Sequence, residues 1–429
     1  MPKCQVSAGA KTRLPATPPA PRSAPWGVLG LVTAAQVSTA FISLGVASLI
    51  PFLVSGLNLS AAEAGLVGGA VNVGMTPTGF LAGRLTDIYG EKRILILACL
   101  GTGLAIVLSS LSASFSSLYF LLIFTGFWAG AVTPAASRAI TNWFGASGLG
   151  FAQSVRQSGI TVGGLLAALI LPRLALAANW HVALISAGVS GGLGASLVQC
   201  LYREPRRNVS TGPGRSPDGG KGGGLRHLVR GRNIWLVCFM GLLFVGGQFS
   251  LLTYLQLYLK DKAGISLHLA SIFLSLVILA GVLGRIFWGA LSDRAFHGAR
   301  RPVLTVIGSS AAAMALGMLL VSRVTPLWLL ALMTFILGFT AMGWNGVYVT
   351  LLSELPGDRN NSATTVGIGI SFMQLGVLII PPSFGFLVDV RHNYRTSWIL
   401  LSCVMLAGTI LIRGVREGTR SGTVGRAEG

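Results

Sequence analysis

Read from one polar break to the next, the chain gives twelve long stretches dominated by apolar side chains. Their approximate spans are 26–50, 60–85, 93–112, 115–140, 149–174, 179–202, 233–259, 267–291, 303–322, 326–352, 361–388 and 395–413. A helix needs about 20 mainly apolar residues to cross the hydrocarbon layer of a bilayer. Lipid offers no partner for backbone N–H and C=O groups, so runs of this length fold as helices that satisfy themselves. The expected fold class is all-α: a polytopic membrane protein of twelve transmembrane helices. Charged residues make up only 10% of the chain, against roughly 25% in soluble domains. The mean hydropathy of +0.71 excludes soluble classes.

The spans are not independent of one another. Gly83-Arg84-Leu85-Thr86-Asp87, followed by Gly90 and Glu91-Lys92-Arg93, returns 206 residues later as Gly289-Ala290-Leu291-Ser292-Asp293, followed by Arg300-Arg301. Gln36 and Ser38 match Gln248 and Ser250 at an offset of 212, as Gly126-Phe127 and Gly145 match Gly338-Phe339 and Gly357. Gln157 and Gly159 match Gln374 and Gly376 at 217. The chain therefore divides into a tail (1–25), a six-helix bundle (26–202), a linker rich in Gly, Pro, Arg and Ser (203–232), a second six-helix bundle (233–413) and a second tail (414–429). Parallel repeats of this kind mark transporters that rock about a site near the bilayer midplane.

The net charge of +20 would suggest nucleic acid in a soluble protein, but its distribution gives a different meaning. With both termini in the cytoplasm, 26 of the 32 Lys and Arg fall toward inner ends and loops; the outer side keeps Arg173, Lys260, Lys262, Arg323, Arg391 and Arg395. That bias fixes orientation and favours anionic lipid headgroups as a partner, with no nucleic acid. The location expected is the cytoplasmic (inner) membrane. Residues 1–25, with six Pro and no apolar core, do not resemble a cleavable signal, so the first span reads as an uncleaved anchor. The five Cys are scattered and lack metal-ligand spacing, which makes them packing residues. Neither a cofactor nor a metal ion is called for, and a monomer suffices.

With the motif, the spans, the linker and the second copy in hand, the chain resembles a major facilitator superfamily transporter over nearly its whole length. Gly83-x-x-x-Asp87-x-x-Gly90-x-Lys92-Arg93 is similar to that family's signature between the second and third helices. The resemblance implies alternating access, with Gly83, Arg84, Asp87, Gly90, Lys92 and Arg93 gating the cytoplasmic end and Asp293 and Arg294 doing so in the second copy. Two extra residues separate Asp293 from Gly298, so a looser second turn is expected. Arg138, nearer the surface of the fourth span, is grouped with the gate, although snorkelling to the interface is its plainer reading.

Charges within a bilayer are expensive and point to function. Arg285 in the eighth span and Arg156 in the fifth lie near mid-depth with no acid close in sequence. A guanidinium offers a carboxylate two parallel charge-assisted hydrogen bonds. The segment around Arg285, Gly284 to Arg294, resembles the eighth helix of oxalate/formate antiporters and monocarboxylate transporters, where the resemblance implies carboxylate binding by this Arg. Arg156-Gln157-Ser158-Gly159 resembles the fifth helix of small-anion transporters. Oxalate exchangers carry a Lys on the eleventh helix where this chain has Met373 and Gln374, which argues against oxalate. Gln36, Gln248, Tyr254 and Asn345 would complete the cavity, with Gln157 and Gln374 at the seam between halves. Each has a plainer role in helix-to-helix bonding.

The expected function is thus secondary transport of a small, monocarboxylate-like organic anion, with protons or a counter-anion as the coupling partner. The alternative is proton-coupled drug or metabolite efflux. Against it, the glycine pattern of the fifth span breaks at Gly164 and Ala167-Ala168, Leu122 stands where an antiporter Arg is expected, and no carboxylate lies at mid-membrane. No catalytic constellation is present that would make the chain an enzyme.

Overall fold

A computed structural model describes residues 24–144, 148–203, 231–356 and 361–415. The tail before residue 24, linker residues 204–230, the tail from 416 and the repeat pair Gly145/Gly357 lie outside the described residues. The first half contains α1 (Ala24–Leu57), α2 (Ala61–Tyr89), α3 (Glu91–Ser109), α4 (Phe115–Ala129), α5 (Val132–Trp143), α6 (Leu149–Ala177) and α7 (Trp180–Leu201). The second contains α8 (Arg232–Tyr258), α9 (Leu267–Arg294), α10 (Arg301–Gly317), α11 (Leu327–Ala341), α12 (Asn345–Glu354), α13 (Ser362–Arg391) and α14 (Arg395–Arg413). No strand occurs among the described residues.

Side-chain caps start several helices, satisfying N–H groups that the first turn leaves free. Ser60 and Glu63 form a capping box on α2, Ser114 and Ser117 do so on α4, and Asn179 and Ser266 cap α7 and α9. Gly90, at φ 90°, joins α2 to α3 in a conformation that side chains resist. The corresponding turn of the second half absorbs its two extra residues through His297 (φ 50°) and Gly298 (φ 83°). It is not loose: Gly298 N donates to Ser292 O at 2.8 Å and Arg300, within the turn, is fully buried.

Among the described residues eleven spans are long and apolar enough to cross a membrane; α2, 29 residues long, has the length without reaching that apolarity. Two of those spans are broken. Phe115–Trp143 divides into α4 and α5 around Gly130-Ala131, and Leu327–Glu354 divides into α11 and α12 around Met342-Gly343-Trp344. The breaks fall at equivalent places in the repeat.

Each half builds its own core. One cluster, which includes Phe244, Trp344, Tyr348 and Trp398, draws all its buried members from the second half; those of Leu49, Leu53 and Trp180, and of Leu95, Val132 and Tyr202, lie in the first. Packing repeats with the sequence: α1 on α6, α2 on α4 and α3 on α7 correspond to α8 on α13, α9 on α11 and α10 on α14. The halves meet along two equivalent seams, α2 with α13 and α9 with α6. Glycine makes both possible. A Cβ on Gly367 would lie 1.9 Å from Gly79 O, and one on Gly289 would lie 2.2 Å from Ser154 Oγ.

Candidate functional site

At the basic end of the bundle each half supplies an aspartate to the other. The N-terminus of α13 lacks a side-chain cap of its own. Asp87, from the end of α2, fills the role: Oδ2 accepts from Thr364 N at 2.7 Å and from Thr364 Oγ1, and Oδ1 from Ala363 N at 3.3 Å. The N-terminus of α6 also lacks a side-chain cap. Asp293, from the end of α9, accepts from Gly150 N at 3.2 Å and Phe151 N at 2.8 Å. A carboxylate at a helix N-terminus gains both from the orphan N–H groups and from the helix dipole. The repeated Asp therefore joins the halves, and it does so twice.

A buried arginine backs each aspartate. Arg138 pairs with Asp87 and lies 3.6 Å from Glu91, which also accepts from Asn142 at 2.9 Å and Tyr202 at 3.0 Å. At 4% exposure Arg138 does not snorkel; the buried Asp87 and Glu91 hold it inside. In the second half Arg300 pairs with Asp293 and, at 3.2 Å, with Glu354. The signs exchange between halves. The first places an acid at the start of α3 and a cation on α5; the second places a cation before α10 and an acid at the end of α12. Gly83 lies where a Cβ would approach Ala363 O to 2.4 Å. Lys92 is half-exposed at the start of α3. Arg84 is half-buried and Arg93 and Arg294 are exposed, and among the described residues none of these three has an ion-pair partner.

Deeper in the bundle lie the two other arginines. Arg156 on α6 is fully buried, donating from Nε to Gln153 Oε1 at 3.0 Å and from Nη1 to Gln36 Oε1 at 2.8 Å; Nη2 has no partner among the described residues. Arg285 on α9, 4% exposed, reaches across the seam to Gln157 O at 3.0 Å and Thr161 Oγ1 at 2.7 Å, and donates from Nε to Met342 O at 3.1 Å. Its anchors are thus one residue beyond Arg156 and a carbonyl at the helix break. Among the described residues neither arginine has an ion-pair partner.

The polar residues around them also follow the repeat. Gln36 accepts from Thr133 at 3.5 Å and Gln248 accepts from Asn345 at 3.0 Å, at equivalent positions just past the two helix breaks. Gln248 accepts a second bond, from Trp344 Nε1, while Gln36 accepts from Arg156. Trp344 is a core residue, packed edge-on against Phe244 and Tyr348. Gln374 bonds Asn72 across the other seam at 3.2 Å. Tyr254 stands apart from both arginines, stacked on Phe384 between α8 and α13.

Sequence reading missed Glu91, Arg300 and Glu354 as network members, and Gln153 and Thr161 as arginine partners. It also read each broken span as continuous. Gly130, Pro134, Gly343 and Gly346 were the available signal, since interrupted helices at matching positions of two halves point to a midplane site.

The model of the Major Facilitator Superfamily matches residues 32–367. The chain is 26% identical over 381 residues to a probable sulfoacetate transporter of Cupriavidus necator, spanning 84% of this chain and 86% of that one. It is 25% identical over 388 residues to a hexuronate transporter of Bacillus subtilis, spanning 87% and 91%. In structure it is similar to the Escherichia coli fucose:proton symporter, with a TM-score of 0.72 at 19% identity over 91% of this chain and 98% of that one. That last likeness concerns the fold. The apolar helices in two repeated bundles, the aspartates exchanged between them and the match over most of the length agree: this chain belongs to the major facilitator superfamily, and is a membrane transporter rather than an enzyme.

Proposed function

We propose that the protein moves a small organic anion by alternating access, with Arg285 as the carboxylate anchor and Arg156 as a second cationic contact. The observation that carries this reading is the pair of buried guanidiniums, one from each half, that have no ion-pair partner among the described residues. Uncompensated charge in a low-dielectric interior is costly, and an anionic substrate offsets that cost. The names of the relatives, which are those of sulfoacetate and hexuronate transporters, support an anionic substrate.

In this reading the basic end faces the cytoplasm with both termini, the protein sits in the cytoplasmic membrane, and Asp87 and Asp293 hold that end shut. The arrangement is the outward-facing member of the cycle. Substrate bound between the halves repays the cost of breaking the two caps, and the basic end opens. Thermal stabilisation of the purified protein by a panel of carboxylates, inorganic anions and lipophilic cations tests the reading, with Arg285→Ala beside it. Stabilisation by a carboxylate, lost in the variant, is expected. Stabilisation by lipophilic cations, unaffected by the variant, would move the assignment to drug efflux.

A further inference from the structure

From the charge count of the site we infer that the substrate carries two anionic groups on a short frame, a carboxylate for Arg285 and a second oxyanion for Arg156. The inference rests on the reading of these residues as the anion site and adds the substrate's charge and shape. Arg156 is held entirely by neutral acceptors, Gln36 and Gln153, and Arg285 by two carbonyls and a hydroxyl. Amide and hydroxyl oxygens satisfy donors but cancel no charge. The nearby acids are already committed: Asp87 and Glu91 to Arg138, Asp293 and Glu354 to Arg300. Two positive charges therefore remain in the middle of the bundle, and a monoanion compensates only one of them.

Geometry also favours a short two-headed ligand over two separate anions. Arg285 Nη1 bonds the backbone oxygen of Gln157, the residue next to Arg156, so the two arginines meet α6 within one turn of each other. Each keeps one terminal nitrogen outside its hydrogen bonds. In Arg156 this Nη2 is buried without a partner, and in Arg285 the bonds are made by Nε and Nη1 alone. Since Arg156 Nη2 is buried in the present arrangement, the second group meets it once the packing around α6 loosens. Engagement of both arginines then draws α6 and α9, and with them the two halves, onto one ligand.

The test compares matched anions at neutral pH: malonate and sulfoacetate against acetate and propionate, and succinate against butyrate. Apparent affinities come from thermal-shift titrations of the full-length protein. The expected result is a preference for the two-headed member of roughly tenfold or more, the scale of one compensated charge near a protein interior. Arg156→Gln should bring that ratio close to one, and Arg156→Lys should retain most of the preference. Should Arg156→Gln not fold, the wild-type ratio and the Lys variant decide. Monoanions that bind as tightly as their partners, through Arg285, would overturn this inference and leave the proposed function intact. An absence of stabilisation by any anion would overturn both.

Discussion

At the scale of single residues, the difference between a cation and a guanidinium decides what Arg285 does. It holds three partners, Met342 O at the break between α11 and α12 from Nε, and Gln157 O and Thr161 Oγ1 on α6 from Nη1. A lysine ammonium keeps the charge but loses the planar fork. Arg285→Lys should therefore lower uptake into proteoliposomes by about tenfold or more, the loss of one charge-assisted bond, while membrane insertion stays normal. Near-normal uptake would remove Arg285 from the site. Gln248 makes a different kind of prediction. Its Oε1 serves two buried donors, Trp344 Nε1 and Asn345 Nδ2, so Gln248→Leu leaves Trp344 Nε1 without an acceptor and Asn345 Nδ2 with Met342 O alone. The expected cost is about 1–3 kcal/mol for the stranded donor, read as a lower midpoint of thermal unfolding. An unchanged midpoint would mean that Trp344 Nε1 finds another acceptor.

At the scale of helices, two glycine seams and two borrowed caps set how the halves meet. The repeat of Gly83 to Asp87 in Gly289 to Asp293 was legible in the sequence because small residues and a carboxylate at a helix end are local features. What the carboxylate touches was not, because Thr364 and Phe151 lie 277 and 142 residues away from Asp87 and Asp293. The helix breaks after Ala129 and Ala341 were hidden for a related reason: apolar content continues through them, and what changes is backbone direction. From sequence alone snorkelling is the plainer reading of Arg138, because its acids, Asp87 and Glu91, come from α2 and α3. Packing at the seam gives a prediction of its own. Gly367→Ala would place a methyl group 1.9 Å from Gly79 O, and backbone cannot yield there as a flexible side chain would. The closed arrangement should lose stability by an amount typical of overpacking, about 1–3 kcal/mol. Faster labelling of a cysteine placed at Thr364, inside the closed end, would report it. A labelling rate equal to that without the added methyl group would show that the seam has slack.

At the scale of the whole molecule, the caps matter because opening the basic end as a rigid-body motion must break both together. Asp87 and Asp293 belong to different halves, cap different helices and share no partner. Their contributions to the closed state should then add, as they do for independent sites. Each Asp→Asn change removes a charge from a helix N-terminus and weakens two or more hydrogen bonds, a loss of about 1–2 kcal/mol, or roughly a 5- to 30-fold shift toward opening. Turnover should fall more than substrate affinity in either variant, because the change acts at the gate and not at the arginines. Spin labels at the exposed ends of α2 and α9, on Tyr89→Cys and Arg294→Cys with the native cysteines replaced, would measure the separation of the halves. If the halves rock as bodies, Asp87→Asn and Asp293→Asn combined should shift the open-to-closed ratio by the product of the two single shifts. If instead each seam opens by itself, the label pair would show an intermediate separation in the single variants, and the double variant would depart from that product. The distance distribution thus distinguishes one two-state motion from two local ones, and only the first lets an anion held between α6 and α9 control the whole gate.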